Sequence, residues 1–282
     1  MRADLHCHST ASDGSCPPAE VMARARAAGL DVIALTDHDT VAGHAAALRA
    51  LPSGLTLVPG MELSCRLAGH SVHLLAYLFD PADPGLSAEC ARIRASRIER
   101  ARAIVDRLGE LGAPVTWEQV SAIAGGGVVG RPHIAMAMAA AGVIKSPAEA
   151  FGPDWLAVGG RAHVTRYALE PVRAITLIRA AGGVAVLAHP RAPARGWQMP
   201  EADMARLAAA GLAGIEVRHP DHNQHERMVL TAVTARLGVI ASGGSDDHGQ
   251  LTGYRIGCDT IAPQEYERLV MQATGAAPVS GR

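Results

Sequence analysis

The sequence predicts an α/β barrel split by a helical insert, and three observations predict it. Short β-branched runs alternate with Ala-rich helical stretches in the first third, the arrangement of βα units around a mostly parallel sheet. The alternation stops after Asp80-Pro81-Ala82-Asp83-Pro84-Gly85 and resumes near Glu170. The 282 residues are also long enough for a barrel carrying an inserted subdomain, since such barrels commonly run to about 250 residues.

Taken in order, the first expected strand is Ala3–His8, followed by a helix after Pro17-Pro18 and by the strand Asp31–Leu35. Two further strands are expected near Leu55–Val58 and Val72–Tyr77. A long helix is expected from about Leu86 to Leu111, with Ala101, Ile104, Val105, Leu108 and Leu111 on one face, and shorter helices follow to about Phe151. Its arginines, Arg92, Arg94, Arg97, Arg100, Arg102 and Arg107, read mainly as a solvated face. The later strands are expected at Gly183–Ala188, Gly214–Val217 and Val239–Ser242. The barrel domain is thus assigned to residues 1–84 and 161–282, and the insert, residues 85–160, is expected to cap the site.

Hydrophobic residues make up 49% of the chain but aromatics only 3%, so the core must pack through aliphatic side chains. A formal charge of −1 offers no sequence-wide basis for gripping a long nucleic acid or an anionic membrane. With no signal peptide or membrane span recognisable, the expected location is the cytoplasm. The five scattered cysteines form no Cys-x-x-Cys pair and read as reduced packing residues. The thirteen histidines are the unusual feature.

His6 and His8 lie two apart, so an extended segment would aim both one way and Cys7 the other. Alone, the pair is equally a chance pair. Four more polar clusters fall at expected strand ends: Thr36-Asp37-His38-Asp39, Gly60-Met61-Glu62, Ala188-His189-Pro190 and Gly244-Ser245-Asp246-Asp247-His248. In parallel barrels the strand C-termini share one mouth, where these clusters would meet. His73, otherwise a buried-strand histidine, joins them on that ground. The candidate donors are His6, His8, Asp13, His38, Glu62, His73, His189, Asp246 and His248, all nitrogen or oxygen and too many for one ion. Two or three divalent ions are expected, manganese first, with iron and zinc also fitting this donor set.

The motifs DLHCHSTASDG, ALTDHDT, GMELS, VHLLAY, LAHP and SGGSDDHG together resemble the polymerase-and-histidinol-phosphatase (PHP) family. That resemblance implies a distorted (β/α)7 barrel with a trinuclear metal site. It also implies that Glu62 bridges two ions, that His6, His8 and Asp246 complete the first and His73 with His189 the second, and that Asp13, His38 and His248 hold a third. The insert followed by GRPHIA is similar to a stand-alone subgroup of 3′,5′-nucleoside bisphosphate phosphatases and short-RNA 5′-exonucleases.

The expected reaction is hydrolysis of the 3′-phosphate of a nucleoside 3′,5′-bisphosphate, for example adenosine 3′,5′-bisphosphate to AMP, by a metal-bridging hydroxide. Glu62, His189, Asp246, Arg131 and His133 are the expected catalytic residues. Arg131 and His133 also start a candidate helix whose N-terminus suits phosphate. Arg191, Arg195, His222 and Asn223 follow strand ends and either contact substrate or sit on the surface around it. His44, His70 and His163 read as structural or surface residues. Exonuclease action on short RNA, histidinol-phosphate hydrolysis, C–N hydrolysis on the same barrel and a non-catalytic metal module remain open. The expected partner is a nucleotide or very short RNA, because no stacking platform for a long strand is evident and no membrane contact is indicated.

Overall fold

The computed structural model describes residues 1–125, 129–165, 167–193 and 197–282; Arg195, one of the expected substrate contacts, lies outside the described residues. Contacts divide the chain into one compact unit of Met1–Cys90 with Ala168–Arg282 and a second of Ala91–Tyr167. The expected insert, 85–160, follows the change in hydrophobic pattern. The contact boundary falls later because a single helix continues through it.

In the first unit, β1 (Ala3–Asp4), β2 (Val32–Leu35) and β3 (Thr56–Leu67) run parallel, β4 (His70–Tyr77) returns antiparallel, and β5 (Val184–Leu187), β6 (Gly214–Arg218) and β7 (Ile240–Gly243) complete a nearly closed, barrel-shaped sheet in chain order. The β1 and β7 ends meet where the Leu5 N–H donates to the Gly243 carbonyl (3.4 Å) and the His8 N–H to that of Asp247 (2.9 Å). A short β8 (Val279–Ser280) adds to β3. The mostly parallel sheet expected from the alternating pattern is present, with β4 as its reversed strand.

Strand alternation sorts the core. Ala3, Leu5, Val32, Ala34, Val58, Leu75, Tyr77, Val184, Val186 and Ile240 fill one cluster, contributed by six strands and the segment after β1. Ile33, Leu35 and Leu57 point the other way, onto Val21, Met22 and Ala25 of α1 (Pro18–Ala27). Pro18 opens α1 at its first turn, where its missing N–H removes no helical bond. α2 (His44–Arg49), α6 (Pro171–Ala180), α7 (Glu201–Ala209), α8 (Gln224–Leu237) and α9 (Pro263–Gln272) complete this unit, with Asn223 capping α8 through the Glu226 N–H.

The second unit has its own apolar cluster, built from Ile104, Val105 and Leu108 of α3 (Pro84–Glu110), Val120 of α4 (Trp117–Ala124), and Ile134 and Met138 of α5 (Arg131–Ala140). Thr116 starts α4 with a capping box, exchanging hydrogen bonds with Gln119. Among the described residues no helix is long and apolar enough to cross a membrane.

The expected first strand is shortened, for a reason that matters to the site. Its ladder stops at Asp4. Leu5 packs inside with Ala3, so uninterrupted alternation would have turned His6 and His8 outward. Instead the buried Asp4 carboxylate accepts the His6 N–H (3.2 Å), the Ser245 N–H (2.9 Å) and the Gly257 N–H (2.8 Å). Cys7 now faces outward with Val21 and Met22, so the chain has changed face at the Leu5–His6 step.

The seam beside His6 is tight. A Cβ added at Gly244 would run into the Cβ of His6 and reach its backbone nitrogen at 2.6 Å. Gly244→Ala is expected to cost about 1–3 kcal/mol, the usual penalty of overpacking a well-filled interior. Urea denaturation measures this, and unchanged stability would mean that the seam accommodates a methyl group.

Candidate metal centre

Glu62 is fully buried on β3 and stands at the middle of the cluster. Its Oε1 is 2.6 Å from His73 Nδ1 and 2.9 Å from His189 Nε2, and its Oε2 is 3.1 Å from His38 Nδ1, 3.2 Å from His8 Nε2 and 3.4 Å from His6 Nε2. Asp246 Oδ1 lies 3.3 Å from both His6 Nε2 and His8 Nε2. Asp13 reaches His248 Nε2 at 3.4 Å, His38 Nε2 at 3.6 Å and His8 Nδ1 at 3.7 Å. All nine candidate donors thus lie in one connected cluster, delivered by the segments that follow β1, β2, β5 and β7 and by the middle of β3 and of the reversed β4.

The donor atoms form overlapping groups within 4.8 Å of one another: His6, His8, Glu62 and Asp246; His8, Asp13, His38 and His248; and His38, Glu62 and His73. His6 Nε2, His8 Nε2 and Asp13 Oδ1 are buried and have no hydrogen-bond partner. Buried polar atoms are normally satisfied, so lone pairs aimed together without partners fit cations. The donor chemistry, imidazole with carboxylate and no thiolate, suits divalent manganese, iron or zinc.

The electrostatics agree. Burial would raise the Glu62 pKa, yet His38, His73 and His6 hold it well below the usual carboxylate range. Burial likewise opposes ionisation of Asp246 and Asp13, but His6 and His248 around Asp246, and His38 and His248 around Asp13, keep both well below their ordinary value. Conversely, burial disfavours a charged His8, but the Asp246 and Glu62 carboxylates beside its Nε2 push its pKa up to about 10. In the polypeptide alone these protons balance the carboxylates, and a cation would compete for the same places.

Buried aspartates beside the donors act as clamps, and the sequence reading passed over them. Asp37 accepts from the Ser9 N–H (2.8 Å), the Ser9 hydroxyl (2.7 Å) and the Ser12 hydroxyl (2.6 Å), fixing the loop from His8 to Asp13. Asp39 takes the Ser64 N–H (2.7 Å) and hydroxyl (2.9 Å), and Asp247 takes the Gly249 N–H (3.0 Å) and the Arg255 N–H (2.7 Å). Their positions next to His38, Asp246 and His248 were the available signal. Cys7 faces away from the donors, as expected, and its sulfur approaches the Ser245 hydroxyl at 3.5 Å.

The expected substrate contacts fare unevenly. His222 is buried, its Nδ1–H donates to the Val217 carbonyl (3.1 Å), and its Nε2 accepts the Arg191 N–H (3.4 Å). The Asn223 side-chain oxygen serves as the α8 cap. The Arg191 guanidinium donates to the Gln198 side chain at 3.0 Å. His70 stacks on Trp197 with ring centroids 4.4 Å apart and planes 4° from parallel. In the second unit, Arg131 begins α5 and lies over the Phe151 ring at 5.7 Å, while burial and the neighbouring Arg97 lower its pKa. His133 Nδ1 accepts the Gly130 N–H at 3.0 Å, closing the first turn of the same helix.

Residues 4–111 match the family model of the PHP domain. The chain is 34% identical to a 5′-3′ exoribonuclease of Haemophilus influenzae, over 87% of this chain and 89% of that protein. It is 33% identical to a 3′,5′-nucleoside bisphosphate phosphatase of Chromobacterium violaceum, over 89% of each. A solved structure from Bifidobacterium adolescentis, titled as a metal-dependent phosphoesterase, superposes with a TM-score of 0.88 at 32% identity and 96% coverage of both chains.

Proposed function

The chain belongs to the PHP domain family, whose members here are phosphoesterases, and from that premise we propose that it removes the 3′-phosphate of nucleoside 3′,5′-bisphosphates with the help of two or three divalent ions, manganese foremost. The observation that carries this reading is the convergence of five imidazoles on the two oxygens of one buried carboxylate, Glu62. Divalent ions, when bound, supply phosphate hydrolysis with charge to offset the phosphate oxygens and with a water acidic enough to ionise near neutrality.

The remaining work belongs to the chain. Glu62 would be shared between two ions. His6, His8 and Asp246 would hold one, His73 and His189 the next, and Asp13, His38 and His248 a third; the donor groups support the first and third sets, and the approach of both His73 and His189 to Glu62 Oε1 supports the second. Asp37, Asp39 and Asp247 keep these side chains in place through the backbone bonds above. Arg131 and His133 would hold a substrate phosphate. Support comes from Arg97, a second cation whose repulsion Arg131 feels and which an anion would relieve, and from the place of both residues in the first turn of α5. Arg191, two residues after His189, would contribute as well.

A mononucleotide-sized substrate is preferred over a long strand because the formal charge is only −1 and aromatics are 3% of residues. Exonuclease action on short RNA is the second reading, favoured by the likeness to the Haemophilus protein. Manganese-loaded protein should release phosphate and leave AMP from adenosine 3′,5′-bisphosphate. Stepwise mononucleotide release from a 5′-phosphorylated oligoribonucleotide, without turnover of the bisphosphate, would favour the second reading. If His189→Ala matched the wild type on both substrates, the phosphoesterase centre would be misassigned.

A further inference from the structure

Of the seven strands in the barrel sheet, β6 alone delivers none of the nine donors. Its two polar side chains nearest the centre, Glu216 on the strand and His219 just after it, are fully buried. The Glu216 Oε1 receives His6 Nδ1 at 3.0 Å, and its Oε2 receives the backbone N–H of His189 at 2.8 Å. A carboxylate only accepts here, so His6 Nδ1 carries a proton and its Nε2 lone pair is left to face Glu62 and Asp246. On His219, Nδ1 accepts the Asp221 N–H (3.1 Å), so the ring proton sits on Nε2 and donates to Asp246 Oδ2 (3.2 Å). That bond leaves Asp246 Oδ1 turned toward His6 and His8.

The two residues contacted this way share a second feature. His189 (φ 28°) and Asp246 (φ 49°) are both in the left-handed region, which side-chain-bearing residues occupy only when surrounding contacts impose it.

We propose that β6 is the positioning strand of this centre: Glu216 sets the His6 tautomer and pins the His189 backbone, and His219 orients the Asp246 carboxylate. The inference rests on the metal-dependent reading above and adds two positioning residues to it. Second-layer partners of this kind tune ligand orientation, and losing one commonly weakens metal binding about 10–100-fold.

Glu216→Gln preserves volume and tests the point. To keep accepting the His189 N–H, the amide must turn its NH₂ toward His6 Nδ1. That pushes the ring proton onto Nε2, the atom facing Glu62 and Asp246. Chelator competition on the full chain should show metal binding weakened about 10–100-fold, and ¹⁵N NMR of the zinc-loaded protein should lose the protected His6 Nδ1–H signal. Glu216→Asp, which keeps the acceptor, should retain that signal, and His219→Ala should weaken metal binding without altering it. A folded Glu216→Gln protein with wild-type metal affinity and an intact Nδ1–H signal would overturn the proposal, even if its stability fell. Should the wild type hydrolyse no phosphate ester while Glu216→Gln still loses metal and signal, the proposed reaction fails and the positioning role stands.

Discussion

Glu62→Ala is expected to empty the centre of metal and lower kcat/KM for phosphate release by roughly a thousandfold or more, about 4 kcal/mol of lost transition-state stabilisation. Glu62 is 1% exposed and its two oxygens face His6, His8, His38, His73 and His189 within 3.4 Å. Truncation leaves five imidazoles without their shared counter-charge and a cavity in the barrel mouth. Both effects act together, so the isosteric Glu62→Gln separates them. It fills the same volume but replaces a charged oxygen with an NH₂, which carries no charge and no lone pair to offer a cation. Metal analysis and steady-state kinetics on both variants check the expectation, with circular dichroism confirming the fold. A Glu62→Gln protein that kept full metal content and most of its activity would remove Glu62 from the bridging role.

The mouth of the barrel was legible because several donors lie in short polar clusters that end an apolar run, as in Ala34-Leu35-Thr36-Asp37-His38 and again in Val186-Leu187-Ala188-His189, whereas His73 sits inside the apolar run Val72-His73-Leu74-Leu75. The fold class followed from the same alternation. The face change at Leu5–His6 was not legible, since alternation alone says only that His6 and His8 agree with each other. Which way they point depends on Asp4, whose partners Ser245 and Gly257 are distant in sequence. Glu216 was hidden for a related reason. In Gly214-Ile215-Glu216-Val217 it reads as the polar member of a half-exposed strand, while in the structure it is fully buried and bonded to residues 210 and 27 positions away. His222 follows a strand end in the sequence, and the partners of its two ring nitrogens, backbone groups of Val217 and Arg191, were not visible there.

Metal affinity is expected to rise with pH through the neutral range, while the metal-free protein loses stability in the same direction. The His8 pKa lies at about 10 against an ordinary 6.5. A raised pKa contributes stability that is fully present below about 6.5 and disappears as pH climbs through about 10. Glu62, Asp13 and Asp246 behave oppositely: their folded pKa values are depressed, so their contribution is present above the ordinary carboxylate range and is lost only as acid protonates them in place. Between pH 6.5 and 8.5 the carboxylates therefore stay ionised, and the protons that must leave are those on imidazoles. A metal bound through the His8 Nε2 lone pair displaces at least one proton there, which corresponds to roughly a tenfold gain in apparent affinity per pH unit. Chelator-buffered titrations at several pH values, with thermal unfolding of metal-free and metal-loaded protein, measure both sides of this linkage. The gap between the two melting temperatures should widen as pH rises. An affinity independent of pH, with a constant gap, would mean that His8 is already neutral in the folded polypeptide and that Glu62 and Asp246 draw their balancing charge from elsewhere.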